Sequence, residues 1–301
     1  MKGIISPVVT LLDENGNIDI EKNMDMLDKI IDGGVHGIVL LGSSGEFPHF
    51  TLNEKKRFLS EVIPYLNNRV PVLVGTGGTV LEETVELSNF VKQLGGDGVL
   101  VVQPYYWTMS EEQIYTYYAE LANRITIDIY LYNIPQLTGQ EIPVDVISKL
   151  ASEFPHIKGI KETVGSIGRI RNVINTVKSV KPDFHVYSAF DEHLLDAQIL
   201  GASGSINGTS VFLPELSVSL YNAIQTNDFK TIKELHRQIS DLMDFYSWHP
   251  SFYISMKEAV YARWYPDERV NFKTPFVNNE QDLRSLAETM ITKSLVLGGT
   301  K

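Results

Sequence analysis

Short, nearly unbroken apolar runs recur along the chain, separated by longer stretches whose apolar residues return with a helical period. The runs cover residues 3–9, 36–42, 71–75, 97–103, 127–133, 157–161, 184–189 and 204–208. They do not alternate apolar with polar, which is the pattern of parallel strands covered on both faces. Between them, residues 81–96 carry Leu81, Val85, Leu87, Phe90, Val91 and Leu94 on one helical stripe and end in a Gly stop. Residues 111–124 read as a second such helix. Eight βα units with one layer of helices predict an α/β fold of the (β/α)8 TIM-barrel type. An open doubly wound sheet is the alternative, but the first βα turn lacks G-x-G-x-x-G. After residue 226 the strand signal stops, and 228–247, 251–265 and 279–296 read as helices. The expected organisation is therefore a barrel over 1–226 carrying the active site and a C-terminal helical subdomain over 227–301.

Composition narrows the function. The 301 residues carry a net charge of −11, which argues against nucleic acid or an anionic membrane as partner. An acidic substrate would need hydroxyls and backbone N–H groups supplied locally. With no cysteine, disulfides, zinc–thiolate sites, iron–sulfur clusters and thiol nucleophiles are excluded, and the chain suits a reducing cytoplasm. No run approaches the roughly 20 apolar residues of a membrane helix, and the N-terminal residues lack the apolar core of a signal peptide. The seven histidines show no metal-binding spacing. Asp191, Glu192 and His193 form a polar cluster that reads as a solvated loop.

A barrel carries its chemistry at the C-terminal strand ends, and four ends stand out. Gly42-Ser43-Ser44-Gly45-Glu46 can form an anion nest of hydroxyls and N–H groups suited to a carboxylate, or a plain βα turn. It is not a serine-hydrolase elbow, because residue 46 is Glu rather than Gly. Tyr105, Tyr106 and Trp107 can line a pocket or pack at a subunit contact. Tyr132 can relay protons if its hydroxyl faces the mouth, or be a buried structural Tyr. Lys158 and Lys161 share one strand and point to opposite faces; Lys161 shares its face with Gly159 and Thr163. A lysine late in a buried strand needs a task or a partner. The task would be imine formation with a carbonyl, and the partner would be a carboxylate elsewhere in the barrel. The glycine-rich stretch 201–208 can bind phosphate or simply turn the chain around the last strand.

Taken together, GSSGE (42–46), PYY (104–106), YNIP (132–135) and GIKET (159–163) resemble the pyruvate-dependent class I aldolases, the dihydrodipicolinate synthase and N-acetylneuraminate lyase family, across nearly the whole chain. The resemblance implies an enzyme that needs no cofactor and no metal. Lys161 would form a Schiff base with a 2-oxo acid such as pyruvate, and Tyr132 would shuttle protons. Ser43, Ser44 and the Gly45 turn would hold the carboxylate, with Thr163, Ile206 and Gly208 lining the substrate site. Tyr106 would reach into a neighbouring subunit and complete a relay with Ser44 and Tyr132, in a homotetramer built as a dimer of dimers.

Within that family, dihydrodipicolinate synthases usually carry an Arg where this chain has Leu137. A leucine cannot make the bidentate contact to a second carboxylate. The phrases at 45–47, 75–79, 104–107 and 137–140 look closest to bacterial 2-keto-3-deoxy-sugar-acid aldolases, which release pyruvate and an aldehyde. Dihydrodipicolinate synthase and N-acetylneuraminate lyase are the alternatives.

Overall fold

The structure, a computed structural model, describes residues 1–276 and 283–297. Eight parallel strands close into a barrel in chain order. They are β1 (Gly3–Pro7), β2 (Gly37–Leu40), β3 (Val72–Gly75), β4 (Gly98–Val102), β5 (Ile129–Asn133), β6 (Ile157–Glu162), β7 (His185–Ser188) and β8 (Gly204–Ser205). The barrel closes where Gly3 and Ile4 pair with Gly204 and Ser205. Apart from His185 and Lys158, every strand residue is buried, as the absence of alternation predicts.

The helices are α1 (Ile20–Asp32), α2 (Leu52–Leu66), α3 (Leu81–Gln93), α4 (Glu111–Arg124), α5 (Pro135–Thr138), α6 (Val144–Glu153), α7 (Ile167–Val180), α8 (Leu194–Ile199), α9 (Pro214–Gln225), α10 (Phe229–Ser240), α11 (Phe252–Trp264) and α12 (Leu283–Leu297). Their starts are written locally. Thr51 with Glu54, and Ser110 with Gln113, form reciprocal capping boxes at α2 and α4. Asp19 and Ser166 cap α1 and α7 by accepting from the N–H three residues on.

Two expected elements are cut short by tertiary contacts. The run at 204–208 contributes only two residues to the ladder, because Asn207 and Thr209 give their polar groups to Asp191 instead. The helix expected over 228–247 ends at Ser240, and a 3-10 turn follows at Met243–Ser247. That turn sets Phe245 edge-on against Phe212, with ring centroids 5.1 Å apart, and aims Tyr246 into the barrel mouth. These tertiary contacts outweigh the helical period. Of the helix expected over 279–296, residues 279–282 lie outside the described residues. One apolar cluster runs from the barrel wall through Phe245, Met256 and Val260 to Ala287, so α11 and α12 share the core of the barrel.

Candidate active site

At the C-terminal ends of the strands lie two cavities that share Ile134, Leu137, Pro250 and Phe252 as walls. The larger is about 340 Å³ and is lined by Ser44, Tyr132, Lys161, Thr163, Ile206 and Gly208, among others. The smaller is about 270 Å³ and includes Ser43, Glu46, His49 and Tyr105 in its walls.

Lys161 stands at the inner end of the larger cavity. β6 puts it in register with Tyr132 of β5 and Tyr187 of β7, so the three point to the barrel interior. Its side chain is 6% exposed, and its Nζ lies 4.6 Å from the centre of the Tyr132 ring. Among the described residues it forms no ion pair, and it is the one charged group lining this cavity. The acid next to it in sequence, Glu162, points the other way. Glu162 accepts from Asn133 Nδ2 at 2.7 Å and from the Arg169 guanidinium at 3.3 Å, while burial pushes its carboxyl above the usual range. The register slips at Lys158, and Gly159 then gives its room to the Tyr130 ring, which an added Cβ would meet at 2.8 Å.

Tyr132 and Ser43 share a hydrogen bond of 3.2 Å between their hydroxyls. This corrects the expected relay, in which Ser44 meets Tyr132. Ser44 lines the larger cavity beside Lys161, while Ser43 reaches across to the tyrosine. The difference is one residue in a turn with left-handed backbone at Leu41 and Glu46, where side-chain directions do not follow strand alternation. Gly45 lines neither cavity. Its carbonyl accepts from Thr10 Oγ1 at 2.9 Å, and an added Cβ would meet the Leu41 backbone and the Val8 carbonyl at 3.1 Å. The position is one of close backbone approach, which leaves no room for a side chain. Thr163 lies on the Lys161 side with its hydroxyl buried and unpartnered among the described residues. Tyr106 is not part of either cavity. It is 86% exposed, at φ 92°, edge-on to an equally outward Trp107.

Behind the wall formed by Ile206, Gly208 and Tyr246 lies a group whose burial the sequence pattern missed. Asp191 is fully buried rather than solvated, which corrects the expectation for that residue, while Glu192 beside it is exposed as expected. It accepts from Asn207 Nδ2 at 2.6 Å, from the Thr209 N–H at 3.0 Å, from the Thr209 hydroxyl and from the Tyr246 hydroxyl at 2.6 Å. Burial still pushes its carboxyl upward, with these donors opposing. Tyr246 in turn accepts from the Gly208 N–H at 3.0 Å, and its hydroxyl sits where a Cβ on residue 208 would be. The segment Ile206–Gly208 is thereby fixed beside Lys161. Nothing local in the sequence signals that Tyr246 belongs to this wall.

The ensemble offers an amine without a counter-ion among the described residues, two adjoining hydroxyls able to pass a proton, and buried donors at Ser44 and Thr163 for a carboxylate. Comparison with known proteins gives a consistent picture. The model of the dihydrodipicolinate synthetase family matches residues 1–294. YjhH of Escherichia coli K12, provisionally named as a 2-dehydro-3-deoxy-D-pentonate aldolase, is 32% identical over 295 residues, 98% of each chain. YagE of the same organism, provisionally named as a 2-dehydro-3-deoxy-D-gluconate aldolase, is 37% identical over 258 residues, 86% of this chain and 85% of that one. The crystal structure of YagE in complex with pyruvate superposes with a TM-score of 0.92 over 98% of both chains.

Proposed function

Because the chain belongs to the dihydrodipicolinate synthetase family, we propose that it is a class I aldolase cleaving a 2-keto-3-deoxy sugar acid to pyruvate and an aldehyde. The observation that carries this reading is the buried Lys161 amine, without an ion-pair partner among the described residues and in contact with the Tyr132 ring.

In the proposed sequence the Lys161 amine adds to the C2 ketone, and loss of water leaves an iminium. Ser44 and Thr163 hold the carboxylate. Tyr132, coupled to Ser43, takes the proton of the C4 hydroxyl as the C3–C4 bond breaks. The bond's electron pair moves into the iminium and gives an enamine, while the C4 carbon leaves as an aldehyde. Protonation at C3 and hydrolysis of the imine release pyruvate and return the amine. The imine is the electron sink, so the chemistry calls for no other cofactor.

Leu137 supports a sugar-acid substrate over aspartate semialdehyde. It lines both cavities, and no arginine lines the larger one to meet a second carboxylate. The proposed setting is a cytoplasmic homotetramer in which Tyr106 of each subunit completes the hydroxyl relay of a neighbour. No described helix is long and apolar enough to cross a membrane.

Borohydride reduction in the presence of pyruvate tests the reading. Intact mass and peptide mapping should place the reduced adduct on Lys161, and Lys161→Ala should abolish it. Unchanged mass, under conditions that trap another class I aldolase, would refute the mechanism.

A further inference from the structure

Glu46 closes the turn that presents Ser43 and Ser44, and it does so in a costly conformation. Its backbone is left-handed, φ 57° and ψ 33°, where glycine is the usual residue. Its N–H donates to the Ser43 carbonyl at 3.2 Å, and the next N–H, of Phe47, donates to the Gly42 carbonyl at 3.4 Å. A glycine here would relieve the backbone but would carry no carboxylate. That carboxylate is fully buried and forms an ion pair with Lys257, itself fully buried on α11. Its second oxygen lies 3.2 Å from His49 Nδ1. His49 is held in turn by stacking on Phe276, with ring centroids 4.3 Å apart, and edge-on to Tyr253 at 5.6 Å. α11 also presents Phe252 and Met256 to the Lys161 cavity, so one helix both forms a wall and grips the turn.

Neither charge touches a reacting atom, yet a buried pair is expensive to desolvate and is weak evidence for stability alone. We infer that Lys257 is a positioning residue: its ion pair with Glu46 holds the left-handed turn shut and so sets the Ser43 hydroxyl against Tyr132. The inference rests on the aldolase reading only for its kinetic consequence.

The test is the neutral double variant Glu46→Gln/Lys257→Met, which removes both charges and avoids stranding one in the core. Circular dichroism and thermal melting establish that it folds. Its borohydride trapping rate at subsaturating pyruvate should fall about tenfold or more, in the range that misplacing a reacting group by about 1 Å produces. Its crystal structure should show the Ser43 hydroxyl outside hydrogen-bonding distance of Tyr132. A turn superimposable on the native one overturns the inference whatever the kinetics. Failure of the native chain to trap pyruvate refutes the aldolase reading, and the crystal structure of the double variant still decides this one. Should the double variant not fold, Glu46→Asp, which keeps both charges but whose shorter side chain cannot span to Lys257 without moving the turn, is read in the same two ways.

Discussion

His185, on the wall of the barrel opposite the mouth, illustrates how a single side chain ties stability to pH. Its Nδ1 lies 3.0 Å from the Ser203 hydroxyl and its Nε2 3.1 Å from the Met1 amine. Burial first, and the positive Met1 amine second, lower its pKa from 6.5 to about 4. The unfolded chain therefore takes up this proton near pH 6.5, while the folded chain does not until about pH 4. In that window the unfolded state binds more protons, and stability falls as the pH is lowered. His185→Gln should flatten the decline in melting temperature between pH 7 and 4, within the range its pKa shift defines. Parallel melting curves for the two proteins across that range would disprove the assignment. Asp191 and Glu162, whose carboxyls are raised by burial, act in the opposite sense, because their stabilising contribution is lost as pH rises.

Among the elements, the short β8 strand leaves no room for added volume. A Cβ on Gly204 would lie 1.9 Å from the Gly3 carbonyl oxygen, across the seam that closes the barrel. Backbone cannot rotate aside as a side chain can, so the seam must open. Gly204→Ala should cost at least about 2 kcal/mol in chemical denaturation. Gly78→Ala, where nothing lies within 4 Å of the added carbon, should stay within about 0.5 kcal/mol. Equal midpoints for the two variants would count against a tight seam. Element type was readable wherever period and caps agreed, as in α4, whose expected and observed limits coincide. It failed at residues 206–208 and 241–247, where Asp191 draws Asn207, Thr209 and Tyr246 toward itself and breaks the local pattern.

For the molecule as a whole, an acidic chain presents a mouth whose larger cavity has one cationic group, so substrate charge must be met by that group and by neutral donors. Tyr106 and Trp107 stand outside the mouth, 86% and 78% exposed, and such a pair suits a subunit contact. Within the proposed tetramer, light scattering should return a four-chain mass, and Trp107→Asp should shift it downward. A native monomer at micromolar concentration would remove Tyr106 from the proposed relay.

The eight βα units, their parallel order and the position of Lys161 late in the sixth strand followed from residue pattern alone. Strand burial and helix caps are properties of neighbours in sequence, so they survive in the linear text. The order of Ser43 and Ser44 around Tyr132 did not follow, because a left-handed turn breaks the two-residue alternation on which such a reading depends. Nor did Asp191 with Tyr246, or Glu46 with Lys257, since each pair joins residues far apart in the chain. Which polar groups meet inside the mouth was decided only when closure of the barrel brought the C-terminal helices over it, where a buried charge is tolerated only against a partner.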